Sequence, residues 1–322
     1  MKRALVIGLV GGLLFLIAPS FLSSYYLGLV TKMLIFALFA MSLDLLLGYT
    51  GLPSLGHAAY FGLGAYTVAL LALKVAVKNL WIGSLASLAS VLVLALGFVP
   101  LTLRARGDYV LMITLALSQV LWSLAFKFFW VTGGTDGIRV PRNSITLLAG
   151  LVDFKGSGAY QKFVYAYYYY VLALFVVAAV VMWVIVHSPF GKALQAIRDN
   201  ETRASFVGIR VRRYRWIAFV ISGFFTGLAG ALWVPLNGLT TPEILYWPFS
   251  GEIVFMTVLG GFRTFTGPIV GAIAFNYLKV YAVASSQYWQ LVLGCVLVVL
   301  VMALPTGIVG TLARLAGKPR RD

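Results

Sequence analysis

The feature that most constrains this chain is a series of long apolar runs, separated by short polar or basic segments. A helix needs about 20 apolar residues to cross the hydrocarbon core of a bilayer. The series therefore predicts an all-α polytopic membrane protein with about ten transmembrane helices. The predicted spans are residues 4–19, 25–47, 58–73, 81–103, 108–130, 164–187, 215–236, 248–262, 266–284 and 287–305.

The composition agrees with a lipid environment. Charged residues make up 11% of the 322 residues and hydrophobic residues 61%, whereas about a quarter of a soluble domain is charged. The formal net charge of +16 could indicate a nucleic-acid-binding protein, but Lys and Arg cluster at the ends of the apolar runs, where the positive-inside bias places them. We therefore expect contact with membrane lipid, no binding of nucleic acid, and a single membrane domain over residues 1–322.

The same basic residues predict the orientation of the chain. With ten spans, five basic clusters face one side, which the positive-inside bias assigns to the cytoplasm: residues 2–3, 104–106, 192–215, 263 and 314–321. Both termini are then cytoplasmic. The segment 131–163 faces outward, residues 188–214 form a cytoplasmic loop, and residues 306–322 form a cytoplasmic tail.

The first predicted span has the features of a signal peptide, with a basic start and a short apolar stretch. No clean small-x-small cleavage site follows it, so we expect residues 4–19 to be retained as a span. A total of eight or nine spans is also compatible with the pattern.

Two stretches interrupt the apolar pattern with Gly and Pro, at Ser42–Leu71 and at Glu252–Leu278. Backbone groups freed inside a membrane are tolerated only where protein or a water-filled cavity meets them, and paired breaks indicate a transport pathway built from repeats. The pairing suggests two related halves with broken helices, although close helix packing also explains the glycines. The predicted pathway residues are Asp44, Gly48, Gly51, Ser54, His57, Gly260, Gly261 and Gly267.

A block of charge interrupts the chain between His187 and Arg215. Ser188 suits the cap of a helix and Pro189 its first position. A second short helical segment, Thr202–Val207, ends at Gly208. The apolar residues of the first helix share one face, which argues against pure solvation: Phe190, Ala193, Leu194 and Ile197. Three explanations stay open: solvated charge that sets the topology, a helix on anionic lipid, and a helix docked in a groove of a cytoplasmic partner.

Six motifs follow one another along the chain: GYTGLPSLGHAAYFGLGAY (48–66), TGGTDGI (132–138), SPFGKALQAIRDNETRASFVGI (188–209), FVISGFFTGLAGAL (219–232), VLGGFRTFTGPIVGA (258–272) and LPTGIVG (304–310). In these motifs and their order the chain resembles the inner-membrane permease subunits of branched-chain amino acid ABC importers. The resemblance covers nearly the whole chain.

This resemblance implies that the charged loop couples the permease to a separate ATP-hydrolysing subunit. The general importer pattern is Glu-Ala-Ala with Gly three residues later; the chain has Arg203-Ala204-Ser205 and Gly208 instead, so the Glu is replaced. The implied coupling residues are Ser188, Pro189, Gly191, Ala193, Leu194, Ile197, Arg198, Asp199, Asn200, Ala204 and Gly208.

The resemblance also implies several partners in the inner membrane of a bacterium or archaeon: cytoplasmic ABC ATPase subunits, a second homologous permease subunit that most simply makes a heterodimer, and an extracytoplasmic solute-binding protein. The sequence contains no GxxxxGK[ST] phosphate-binding loop, so ATP and Mg²⁺ are expected on the partner ATPase. We expect this chain to bind no cofactor or metal and to be no enzyme.

Alternative functions remain open at this stage. A permease of the same family for urea or short amides is one, and an ion-coupled secondary transporter, which needs buried ionisable groups, is another. Asp44 is the clearest such group, because an acid inside a span is a functional candidate. It either faces the pathway and meets the ammonium of an amino acid, or is a structural acid bonded to neighbouring groups.

Overall fold

The computed structural model of the protein describes residues 19, 22–75, 79–105, 107, 109–141, 159–285 and 287–315. Most of the predicted span 4–19 therefore lies outside the described residues. The same holds for residues 142–158 of the predicted outward segment and for residues 316–322 of the predicted tail.

Thirteen α-helices account for most of the described residues. The first six are α1 (Ser24–Asp44), α2 (His57–Lys74), α3 (Leu80–Thr102), α4 (Tyr109–Lys127), α5 (Phe129–Thr132) and α6 (Ala159–His187). The others are α7 (Pro189–Asp199), α8 (Glu201–Phe206), α9 (Val211–Asn237), α10 (Trp247–Gly260), α11 (Gly267–Ser285), α12 (Trp289–Ala303) and α13 (Gly307–Leu315). We call α7 and α8 together the elbow.

Three kinds of short element complete the described fold. A π-helical turn, Leu45–Thr50, continues α1, and 3₁₀ turns lie at Gly134–Asp136 and Pro242–Leu245. Strands β1 (Ile138–Arg139) and β2 (Leu239–Thr240) pair antiparallel. The described fold is therefore all-α apart from this pair of two-residue strands, of which β1 falls inside the segment that the sequence predicts to be an outward loop.

Seven stretches of the described chain are long and apolar enough to cross a membrane: Ser24–Thr50, Leu80–Thr102, Tyr109–Lys127, Tyr160–His187, Val211–Asn237, Gly267–Ser285 and Trp289–Leu312. The predicted spans 58–73 and 248–262 correspond to helices α2 and α10, which are not among the seven. With 14 residues, α10 rises only about 21 Å, less than the hydrocarbon core of about 30 Å. The total of ten predicted from the sequence is thus not confirmed.

Two predicted boundaries differ from the structure. Helix α9 begins at Val211 rather than at residue 215, so the non-spanning segment between α6 and α9 is shorter than the predicted loop 188–214. The predicted tail begins with helix α13, whose Gly307 lies against the backbone of Gly261. Residues 307–315 of the predicted tail therefore form a helix that contacts the bundle.

The long helices place their ends in two groups. At the elbow end, the π-helical turn, the α3–α4 connection and the start of α9 surround a cavity of about 360 Å³, lined in part by Leu52, Leu103, Val110 and Val211. At the far end, the Lys74 ammonium at the end of α2 donates to the carbonyl of Trp130 at 3.0 Å, and β1 pairs with β2. The described helices between these groups run alternately up and down.

The centre of the bundle is built by α1, α2 and α9, which carry most of the fully buried residues. Small residues let these helices approach closely. This is expected in a membrane, where helices associate through close packing because the hydrophobic effect does not drive them together. Gly230 of α9 leaves no room for a methyl group against the carbonyl of Phe61, and Gly64 of α2 faces the carbonyl of Gly227 in the same way. Exposed apolar faces lie instead on α3, α4 and α12.

This packing makes Gly230 sensitive to a single methyl group. We expect Gly230→Ala to lower the free energy of unfolding by about 1–3 kcal/mol, because overpacking forces backbone or side chains to move. The matched control is Gly97→Ala on α3, where a methyl group meets nothing within 4 Å. Thermal unfolding of the detergent-solubilised protein checks this: equal midpoints for the two variants would contradict the close α2–α9 contact.

Candidate coupling and translocation site

The elbow starts where the sequence predicts a helix start. The Ser188 hydroxyl accepts a hydrogen bond from the Gly191 amide at 3.4 Å, and Pro189 occupies the first helical position. Asn200 ends α7 and caps α8, its side-chain oxygen accepting from the Arg203 amide at 2.9 Å. These caps satisfy amides that a helix leaves free at its start, so the two short helices are locally specified.

The apolar face of α7 packs against the protein's own bundle. Leu194 and Ile197 are fully buried, and the Phe190 ring stacks on Tyr214 of α9 with centroids 5.5 Å apart. Gly191 lies directly on the carbonyl of Val186. The chain itself therefore covers the buried residues of this apolar face. Periodicity identified the face but could not identify the surface that covers it.

Two large apolar residues are exposed at the end of α8 and directly after it. Phe206 and Val207 are 85% and 82% exposed, although both are strongly apolar. Ala204 is buried, and Arg215 of α9 holds Glu201 through two hydrogen bonds of 3.1 and 2.9 Å. Sequence analysis missed this apolar pair; the available signal was two large apolar residues directly before the helix stop at Gly208, in a polar segment.

The π-helical turn at the end of α1 leaves one carbonyl without a helical donor. The amides of Gly51 and Leu52 both donate to Leu46, and the next residue, Pro53, has no N–H. The carbonyl of Gly48 is therefore left for another donor. The Arg198 guanidinium of α7 supplies it, through a hydrogen bond from Nη1 at 2.8 Å.

Arg198 is held in place from two sides. Its Nε and Nη2 atoms donate to the Asp199 carboxylate at 3.0 and 2.9 Å. Below it lies Gly51, where an added Cβ would come within 2.8 Å of Arg198 Cγ and where φ is +72°. Both the backbone angle and the lack of space require glycine at position 51.

The second predicted break meets the first at Asp44. The backbone amide of Arg263, in the connection between α10 and α11, donates to Asp44 Oδ1 at 3.4 Å. Gly48 lies between them, since an added Cβ would contact the Asp44 carboxylate and come within 2.8 Å of the Arg263 nitrogen. We call Asp44, Gly48, Gly51, Arg198 and Arg263 the junction. It brings together both breaks and the elbow.

The other glycines of the second break mediate helix contacts. Gly260 leaves no room for a side chain against the carbonyl of Gly267, and Gly271 is equally close to Met256. The packing alternative therefore accounts for Gly260 and Gly267. Beside Asp44 lies a cavity of about 10 Å³, room for about one water molecule.

His57 is a buried residue whose two ring nitrogens both have hydrogen-bond partners. Its Nδ1 lies 2.9 Å from Ser54 Oγ and its Nε2 lies 2.8 Å from Ser222 Oγ. Ser222 donates its proton to the carbonyl of Ser42, so Nε2 is the donor to Ser222 and Nδ1 accepts from Ser54. The network ties α1, α2 and α9 together at the level of the first break.

The chain is similar in sequence to known permease proteins. The family model described as "Branched-chain amino acid transport system / permease component" matches residues 25–302. The chain is 27% identical to the high-affinity branched-chain amino acid transport system permease protein LivM of Escherichia coli over 310 residues, which is 90% of this chain and 71% of that protein.

Shorter matches include two other permeases. The LivH permease protein of E. coli is 28% identical over 127 residues, 38% of this chain and 41% of that protein. The guanosine ABC transporter permease protein NupQ of Bacillus subtilis is 27% identical over 193 residues, 57% of this chain and 59% of that protein. No solved structure matches the chain. Because the family match spans most of its length, the chain belongs to the permease components of branched-chain amino acid transport systems.

Proposed function

We propose that this multi-pass membrane protein is the permease subunit of an ATP-driven importer that moves branched-chain amino acids across the inner membrane. The relative that matches 90% of the chain is named for this substrate class, which favours it over urea or short amides. The match to a guanosine permease covers only 57% of the chain. ATP is hydrolysed by a separate subunit, consistent with the sequence, which has no phosphate-binding loop.

The observation that carries this proposal is the attachment of the elbow to the broken end of α1. Force on the elbow reaches the bundle by two routes: the buried contacts of Leu194 and Ile197, and the hydrogen bond from Arg198 to Gly48. The junction passes the same displacement to the α10–α11 connection through Asp44 and the Arg263 amide. A partner that grips the elbow can therefore move both breaks at once.

The end of α8 is the surface that such a partner would hold. Phe206 and Val207 expose apolar area at the tip of a basic segment, and docking into a groove of a cytoplasmic ATPase would remove that area from water. The positive-inside bias places the elbow end in the cytoplasm. The solute-binding protein would then dock at the far end of the bundle.

A second permease subunit belongs to the same proposal. LivM and LivH are separately named permease proteins of one bacterium, and both match this chain. The exposed apolar faces of α3, α4 and α12 are available to lipid and to such a subunit. In a heterodimer of two related permeases, each ATPase subunit would bind the elbow of one permease. With residues 4–19 as a further span, both termini lie in the cytoplasm.

An ion-coupled transporter has weaker support. Such a protein needs an ionisable relay, yet Asp44 is buried and engaged with the Arg263 amide. This bonding fits the structural alternative for Asp44.

We expect the double substitution Phe206→Ser, Val207→Ser to abolish capture of the ATPase subunit during purification. Both side chains are exposed, so the thermal unfolding midpoint should stay unchanged. Trp130→Ser, which alters an 80% exposed side chain at the far end, is the control and should retain the ATPase. Undiminished co-purification of the ATPase with the double variant would contradict docking at α8.

Arg198→Gln is expected to uncouple ATP hydrolysis from uptake. A hydrogen bond from a charged group contributes about 1.5–3 kcal/mol, so its loss should reduce amino acid uptake about tenfold or more while ATP hydrolysis continues. Amide hydrogen exchange at residues 45–52 should rise in the same variant. The control is Arg203→Gln, which alters an exposed arginine of α8. Equal exchange and equal uptake per ATP in the two variants would rule out this role of Arg198.

A further inference from the structure

Three partly buried charged side chains lie on neighbouring helices toward the far end, away from the junction. Lys32 lies on α1, Glu252 on α10 and Lys279 on α11. Counted from the far-end termini of their helices, they lie about 8–12 Å along the helix axes. Lys32 and Lys279 belong to stretches apolar enough to cross a membrane. Charges at such depth are costly and mark binding or transport sites.

The three charges do not balance. Both carboxylate oxygens of Glu252 accept from the Lys279 ammonium at 2.7 Å. Lys32 has no carboxylate within 4.0 Å among the described residues, although it lies close enough to Lys279 and Glu252 to feel their charges. The cluster therefore holds two cations and one anion, and the surplus positive charge is that of Lys32.

Aromatic rings surround this surplus charge. The Lys32 ammonium lies 5.5 Å from the ring centroid of Trp233 and 5.7 Å from that of Phe36. Phe249 packs against Phe36, with centroids 5.9 Å apart. Aromatic faces stabilise a cation less than a carboxylate partner does. The rings are largely buried, with Trp233 8% and Phe36 4% exposed, and they form the apolar surroundings of the Lys32 ammonium.

We propose that Lys32, Glu252 and the rings of Trp233 and Phe36 form a binding site for an aliphatic α-amino acid. The carboxylate of the ligand pairs with Lys32. Its ammonium shares Glu252 with Lys279, and its side chain lies on the aromatic rings. A zwitterion fits because the site presents a free cation, an anion and an apolar wall together. The inference rests on the proposed function for the ligand class, but the site itself was not among the residues predicted from sequence.

The test uses the complete transporter in proteoliposomes, with saturating leucine-loaded binding protein. In Lys32→Met, leucine uptake should fall about tenfold or more, because the carboxylate of the ligand loses its cationic partner. ATP hydrolysis stimulated by the binding protein should stay within about twofold, since the elbow is untouched. Lys74→Met, which removes an exposed lysine at the same end, should change neither quantity.

A second variant separates binding from packing. Lys32→Cys in a Cys295→Ser background carries no other cysteine. After assembly, a thiosulfonate that attaches an aminoethyl group restores the positive charge, and one that attaches a sulfonatoethyl group introduces a negative charge. Uptake should return only with the aminoethyl group. Loss of an intramembrane charge lowers desolvation cost, so folding is not expected to suffer.

The outcomes distinguish the two proposals. Wild-type uptake in Lys32→Met, or equal rescue by both reagents, would overturn the amino acid site and leave the importer function intact. Absence of ATP-dependent leucine uptake by the wild-type transporter would instead overturn the proposed function. Loss of uptake in Lys32→Met with ATP hydrolysis retained, followed by rescue with the aminoethyl group alone, supports the site.

Discussion

The structure at the elbow end depends on one unpaired carbonyl. Pro53 has no N–H, and the amides of Gly51 and Leu52 both bond to Leu46, so α1 ends with the Gly48 carbonyl unsatisfied. An unpaired backbone group in apolar surroundings costs several kcal/mol. Arg198 satisfies it from a helix 150 residues later in the chain. The hydrogen bond from Arg198 therefore stabilises the break after α1 and attaches the elbow to it.

The centre and the two ends of the bundle differ in how their polar and charged groups are bonded. The His57 network and the glycine contacts of α2 with α9 make a satisfied, closely packed centre. Polar groups at the junction are instead held by single bonds, from the Arg198 side chain to the Gly48 carbonyl and from the Arg263 amide to Asp44. At the far end, Lys32 carries a charge without a carboxylate partner among the described residues. In the proposed importer, the closely packed centre would lie between the junction that receives force from the ATPase and the charge of Lys32 at the far end.

Much of the fold could be predicted because the length of an apolar run and the positions of Gly and Pro within it are local properties of the sequence. Helices α1 and α6 follow directly from their apolar runs, and Ser188-Pro189 locates the start of α7.

Long-range pairings could not be predicted: nothing in the spacing of Arg198 indicates that it bonds to Gly48, and the periodicity of α7 does not reveal that its apolar face is covered by the bundle. Asp44 and His57 were recognised as unusual, but whether they line a pathway or satisfy buried groups depends on their neighbours. Lys32 was missed because a single lysine barely lowers the hydropathy of a long apolar run.

The central claim is that the elbow and the π-helical turn move as one body. Spin labels at Ala196 on α7 and Leu55 after the turn, in a Cys295→Ser background, report the distance between them by pulsed electron paramagnetic resonance in the assembled transporter. The account predicts one narrow distance distribution that is the same without nucleotide and with ATP bound, while the distance from Ala196 to a label at Arg104 changes. An Ala196–Leu55 distance that lengthens on ATP binding in a transporter still importing its substrate would contradict it.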